Sequence, residues 1–149
     1  MTVKTNIGVT VGVALGVPAT YTESGYSAMT FEPCGSITDL GEIGGSAAVS
    51  SYDPMDTGIM QKLPGVIDYG STTFEMAHDG DDAGQQDLAD GFYGANKGLE
   101  HSFSLTDSDG DTVWFTSRIF SRTKNYGATG DVISSSVNIE INSTLTASA

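Results

Sequence analysis

Hydrophobic and polar positions alternate along most of this 149-residue chain, a pattern that predicts strands. The cleanest run comes first: Val3, Ile7, Val9, Val11, Val13, Leu15 and Val17 take odd positions, while Lys4, Asn6, Gly8, Thr10, Gly12, Ala14 and Gly16 take even ones. Successive strand side chains point to opposite faces, so residues 3–17 carry an aliphatic stripe on one face and an almost bare second face. Glycines there weaken a strand but admit close approach of another backbone. The segment reads either as a strand on its own sheet or as an arm, about residues 1–25, that reaches a neighbouring subunit. It is too short and glycine-rich for a membrane span, and its alternation is unlike the continuous apolar run of a signal peptide.

Pro18 and Gly25 punctuate the next segment, and residues 29–32 and 37–43 read as short strands separated by Pro33 and Gly35. Residues 46–52 can pair in a sheet. Residues 53–68 hold two prolines, two glycines and no sustained period, and a stretch that long without regular structure is usually functional or mobile. Alternation resumes at 71–78, with Phe74 and Met76 on the inward face. One helix is expected at 83–93, capped by Asp82 with Gln85 three residues on, carrying Leu88 and Phe92 on one face and stopping near Gly94. Residues 99–106 and 112–122 alternate again around an Asp107 to Asp111 turn and form a hairpin. After a polar loop at 124–131, a last strand carries Val137, Ile139 and Ile141, and residues 143–149 read as a loose tail. Six or more strands with one helix make a mainly β sandwich or barrel with one flanking helix, spanning residues 1–149 as a single domain.

Composition narrows the function classes. A chain of this length buries about 68–70% of its unfolded surface, so it needs no disulfide or metal to hold it. Nineteen acidic residues against six basic ones give a formal charge of −13, which argues against a binder of nucleic-acid phosphates. The single cysteine, Cys34, excludes an internal disulfide and a Cys pair for zinc; it fits a reducing compartment and reads as a small buried hydrophobe.

Candidate chemistry is sparse. Asp107, Asp109 and Asp111 have the opening spacing of a calcium loop, but Thr112 stands where the loop needs Gly and Arg118 where it needs Glu, which leaves a solvated turn. Asp79, Asp81, Asp82, Asp87 and Asp90 crowd a helix start, where negative charge is favoured in any case. His78 and His101 stand in strands without a Ser, Cys or carboxylate at triad spacing. Arg118, Arg122 and Lys124 concentrate half the basic residues and suit acidic patches on another copy of the chain.

The order Gly44-Gly45, strand, polar loop, Lys62-Leu63-Pro64-Gly65-Val66-Ile67-Asp68-Tyr69-Gly70, then Ser71 to Met76 and a short acidic helix resembles the major tail tube proteins of long-tailed bacteriophages. Ile119-Phe120-Ser121-Arg122, a polar loop, Gly130-Asp131-Val132-Ile133-Ser134 and a final Ile-rich strand extend the resemblance to about residues 29–142. It implies a β sandwich with one flanking helix, similar to the tube protein of type VI secretion, that assembles into hexameric rings stacked into a hollow tube. The implied partners are other copies of the chain, a tape-measure protein, a tail terminator and a distal tail protein, with DNA passing through the lumen without tight binding. Neither membrane binding, a cofactor nor enzymatic activity is implied. The implied location is a virion or gene-transfer-particle tail, assembled in the bacterial cytoplasm. In that family a long loop reaches adjacent subunits and rings; here it matches residues 52–68, and contacts are expected at Tyr52, Met55, Asp56, Ile59, Met60, Lys62 and Leu63, joined by Arg118, Arg122 and Lys124. The chain departs from some relatives in showing no appended immunoglobulin-like domain. A secretion-system tube, a head-tail connector and a secreted β-sandwich module for carbohydrate or calcium are the alternatives.

Overall fold

The computed structural model describes residues 3–148. Its elements, in order, are β1 (Thr10–Leu15), α1 (Glu23–Ser27), β2 (Glu32–Cys34), β3 (Ile37–Asp39), β4 (Ser46–Tyr52), β5 (Gln61–Asp68), β6 (Ser71–Ala77), α2 (Ala83–Asp90), β7 (His101–Thr106), β8 (Thr112–Asn125), β9 (Ser134–Ile141) and β10 (Thr146–Ala147). An antiparallel sheet runs β2-β1-β7-β8-β9-β6-β3, with β10 also on β8, while β4 and β5 form a separate two-stranded ribbon.

The long strand β8 turns this sheet into a sandwich. Its first half pairs with β7 and its second half with β9, and the register shifts between Ile119 and Ser121. A bulge bends its strand and sharpens the twist, so the two ends of the sheet face each other across one core. Phe103 of β7 stacks on Phe115 at 5.5 Å and meets Phe74 of β6 edge-on at 5.8 Å. Val11, Val13, Met76, Val137 and Ile139 complete this apolar layer. The β9 alternation holds as read: Ser135, Val137, Ile139 and Ile141 point inward and the residues between them outward.

Helix α2 flanks the sandwich. Asp82 caps it, its Oδ2 accepting from the amides of Gln85 and Gly35 at 3.0 and 3.1 Å. Buried Gln85 ties the helix to its surroundings, donating to the carbonyls of Gly35 and Ala77 and accepting from Asp79 N. Leu88 is fully buried in the core. The regular helix ends at Asp90, short of the expected Tyr93, and passes into turns in which Tyr93 N still donates to Ala89 O at 2.8 Å and Gly94 N to Asp90 O at 3.1 Å.

Several expectations need correction. The alternation over 3–17 yields a strand only at Thr10–Leu15, since Gly8 (φ 89°) and Gly16 (φ 97°) break it on both sides. Within β1 the bare face serves the chain's own packing: a Cβ on Gly12 would stand 2.8 Å from Phe31 Cβ. Pro33 sits inside β2 instead of separating strands, which is tolerated because β2 is an edge strand. A second helix, α1, is capped by Thr22 and is too short to leave a period in the sequence. Residues 53–68 are not one irregular loop, because 61–68 form β5. The expected loose tail is tied to β8: Thr146 and Ala147 pair with Trp114 and Val113, Asn142 N donates to Thr116 O, and Ser148 N to Thr112 O. Residues 1, 2 and 149 of the expected arm and tail lie outside the described residues.

Candidate assembly surface

The ribbon β4–β5 is built locally. Residues 44 and 45 are glycines, and a Cβ on Gly45 would approach the Tyr69 ring at 3.1 Å, so the ribbon's base closes on Tyr69. Asp68 Oδ1 accepts from Gly70 N at 2.8 Å and turns the chain into β6. The ladder runs from Ser46 opposite Asp68 to Tyr52 opposite Gln61, with a register shift between Ala47 and Val49 that accommodates Gly65 beside Pro64. The tip, residues 53–60, holds itself together: Gly58 N donates to Pro54 O at 3.1 Å, Thr57 N to Asp56 Oδ1 at 2.9 Å, and Gln61 Nε2 to Ile59 O at 3.3 Å.

Nothing among the described residues covers this ribbon. Every residue of β4 and β5 is exposed. Met55 is 100% exposed, Val66 82%, Val49 71% and Ile59 64%, and Tyr52, Met60, Leu63 and Ile67 are more than half exposed. Tyr52, Met55, Asp56, Ile59, Met60, Lys62 and Leu63 therefore share one projecting element. The sequence reading missed Val49, Val66 and Ile67, because the bulge and Pro64 interrupt the alternation that marks them.

The three basic residues of β8 are dispersed. Arg118 projects beside Glu100, at 3.8 Å, and donates to the Gly98 carbonyl. Arg122 is buried, its carbonyl accepting from Tyr93 Oη at 2.7 Å. Strict alternation places Arg122 outward with Arg118; the shift between Ile119 and Ser121 reverses parity and sets Arg122 opposite inward Val137. Lys124 stays exposed over the Tyr126 ring, 4.9 Å from its centroid.

The remaining candidates have structural partners. The Asp107, Asp109 and Asp111 carboxylates converge at 3.1, 3.0 and 3.4 Å on the ammonium of Lys4, which stands where a cation would. Burial pushes the Cys34 thiol up to about 12, helped by Asp82, so it is an inert core residue. His101 is buried with Nδ1 2.9 Å from Leu99 O, and burial lowers its pKa. His78 Nδ1 lies 3.3 Å from Ser135 Oγ. Among the described residues no three or more His, Cys, Asp or Glu side chains are grouped to hold a metal ion, and no helix is long and apolar enough to cross a membrane.

No family profile and no curated protein matches the chain. Solved structures do share its fold. The tail of an empty GTA particle, refined helically with C6 symmetry, superposes with a TM-score of 0.69 over 99% of this chain and 100% of that one, at 14% identity. A chain of the six-fold symmetrised anti-feeding prophage baseplate gives 0.71 over 100% and 97%, at 8% identity. The SPP1 tail tube gives 0.60 over 94% and 77%, at 14% identity. The chain thus has the tail-tube type of β sandwich.

Proposed function

We propose that this protein is the structural subunit of a tail-type tube, which assembles through the β4–β5 ribbon into six-membered rings that stack around a continuous lumen. The observation that carries the reading is the ribbon itself, exposed along its whole length and rich in large apolar side chains. A lone two-stranded ribbon is marginal in water, and an element that exposes this many large apolar side chains marks a protein–protein contact. Its cover is another copy of the chain, with Met55, Ile59, Met60 and Leu63 as anchors.

Six-fold symmetry is supported by the symmetry of the GTA tail and the anti-feeding prophage baseplate whose chains share the fold. Six copies bring about 6 × 13 = 78 negative charges, from a formal charge of −13 each. Any share facing the lumen repels phosphates and leaves DNA free to slide, since phosphate binding needs clustered Lys and Arg. The corresponding location is a phage or gene-transfer-particle tail, built in the bacterial cytoplasm, with tape-measure, terminator and distal tail proteins as the heterologous partners. Deleting residues 55–60 is expected to leave a folded monomer that forms no rings or tubes in negative-stain images; tubes from the deletion variant would refute the proposal.

A further inference from the structure

A cleft of about 470 Å³ opens between the two ends of the folded sheet. One lip is edge strand β3 with the residues after it, contributing Ile37, Leu40 and Ile43; the other comprises Val9, Leu105 and Val113. Its lining is mainly apolar, and it lies in the range of cavities that take in a small ligand or a few large side chains. The Lys4 clamp on the β7–β8 turn holds the N-terminal segment in place, so that Asn6 and Val9 form part of the second lip.

Resting on the assembly role of the ribbon, we propose that this cleft is the receptor for the ribbon tip of a second copy, with Met55, Ile59 and Met60 seated between β3 and β8. Reach excludes the chain's own tip. β4 is a seven-residue strand, and its six steps of roughly 3.4 Å place Tyr52 about 20 Å from Ser46. That base begins at Ser46, three residues after the cleft residue Ile43, a span of at most about 11 Å. However the ribbon swings at its base, its far end stays about 9 Å or more from Ile43 of its own cleft. A tip on one copy and a receptor at another place on the next make a heterologous contact, which propagates into closed rings or helical filaments.

Chemistry favours the same pairing. Methionine side chains are unbranched and flexible and fill irregular apolar gaps, and Met55 has its whole side chain free. Beside the tip, exposed Lys62 makes no hydrogen bond or ion pair within the described residues, whereas Lys4 and Arg118 are both engaged. At the cleft, exposed Asp39 and neighbouring Glu42 supply the opposite charge.

The test uses the full chain carrying Thr38→Cys in the cleft and Met55→Cys at the tip, both at exposed positions. A short bis-maleimide is added under assembly conditions; buried Cys34 stays in place because its thiol is unreactive. The expected result is a ladder of covalent oligomers with the double variant and dimers at most with either single variant. Tubes in the microscope without a ladder would overturn the cleft as receptor while leaving the ribbon's assembly role standing. Absence of tubes and rings even from the unsubstituted chain would overturn both. A second measurement covers a double variant that fails to assemble: Lys62→Glu and Asp39→Lys are each expected to raise the concentration needed for assembly about tenfold, and together to restore it. Failure of the combined variant to recover, with each chain melting as a folded protein, would also overturn the proposal.

Discussion

Replacing Met55 by Ser separates the assembly role proposed for the ribbon from any role in the fold. Met55 is 100% exposed, so its whole side chain is available for burial against a neighbour. Full burial of a side chain of this size stabilises by about 1.5–3 kcal/mol, and each 1.4 kcal/mol is roughly a factor of ten in an equilibrium constant. Met55→Ser should therefore raise the critical concentration for assembly by between about ten- and a hundredfold. Because the side chain is fully exposed in its own subunit, the melting temperature of the monomer should not move, in line with the roughly ±0.5 kcal/mol typical of surface substitutions. Light scattering against protein concentration measures the first quantity and circular-dichroism melting the second. An unchanged critical concentration would show that assembly does not bury the tip. A lowered melting temperature would show that the tip packs within its own subunit.

Two further predictions concern the frame that holds the ribbon. In Gly84→Ala the helix gains about 1 kcal/mol of propensity, but the new Cβ would stand 2.5 Å from Pro33 O and 2.6 Å from Cys34 Cα, and overpacking against backbone costs about 1–3 kcal/mol. The clash wins: the urea midpoint should fall, and a raised midpoint would mean that α2 can shift off β2. Burial lowers the pKa of His101 from 6.5, against the opposing pull of the Leu99 carbonyl and Asp87. The unfolded chain then takes up a proton that the folded chain resists, so stability should decline as pH falls from about 6.5 to the lowered folded value and level off below it. Burial raises the pKa of Asp87, which adds an opposite trend in more acidic solution. His101→Gln should flatten the decline just below pH 6.5 in urea midpoints, and an unaltered slope would refute the assignment.

Much of the architecture is legible in local pattern. Alternation at Phe74 and Met76, at Phe103, and at Val137, Ile139 and Ile141 marks the inward faces, because a strand with one wet and one dry face has a period of two. The helix start is legible at Asp82 and Gln85, because a cap is a contact between near neighbours. Ribbon residues from Tyr52 to Leu63 stand out by resemblance and by their irregular period, although the pairing of 61–68 with 46–52 does not, since Pro64 and Gly65 mask a strand whose partner lies across the turn.

Sequence alone determined the β class, the helix cap and the acidic character, all of which rest on short-range periodicity and charge. Tertiary structure decided the rest. The shift between Ile119 and Ser121 folds the sheet over and turns Arg122 inward. Lys4 finds three carboxylates more than a hundred residues away. The terminal segment closes on β8. Two distant sheet ends meet to leave a cleft. Each is a pairing between residues far apart in the chain, and no local period records which distant partner a segment will meet. The stretch with the weakest period, residues 53–68, became the tip and second strand of an exposed ribbon over which no other described segment packs.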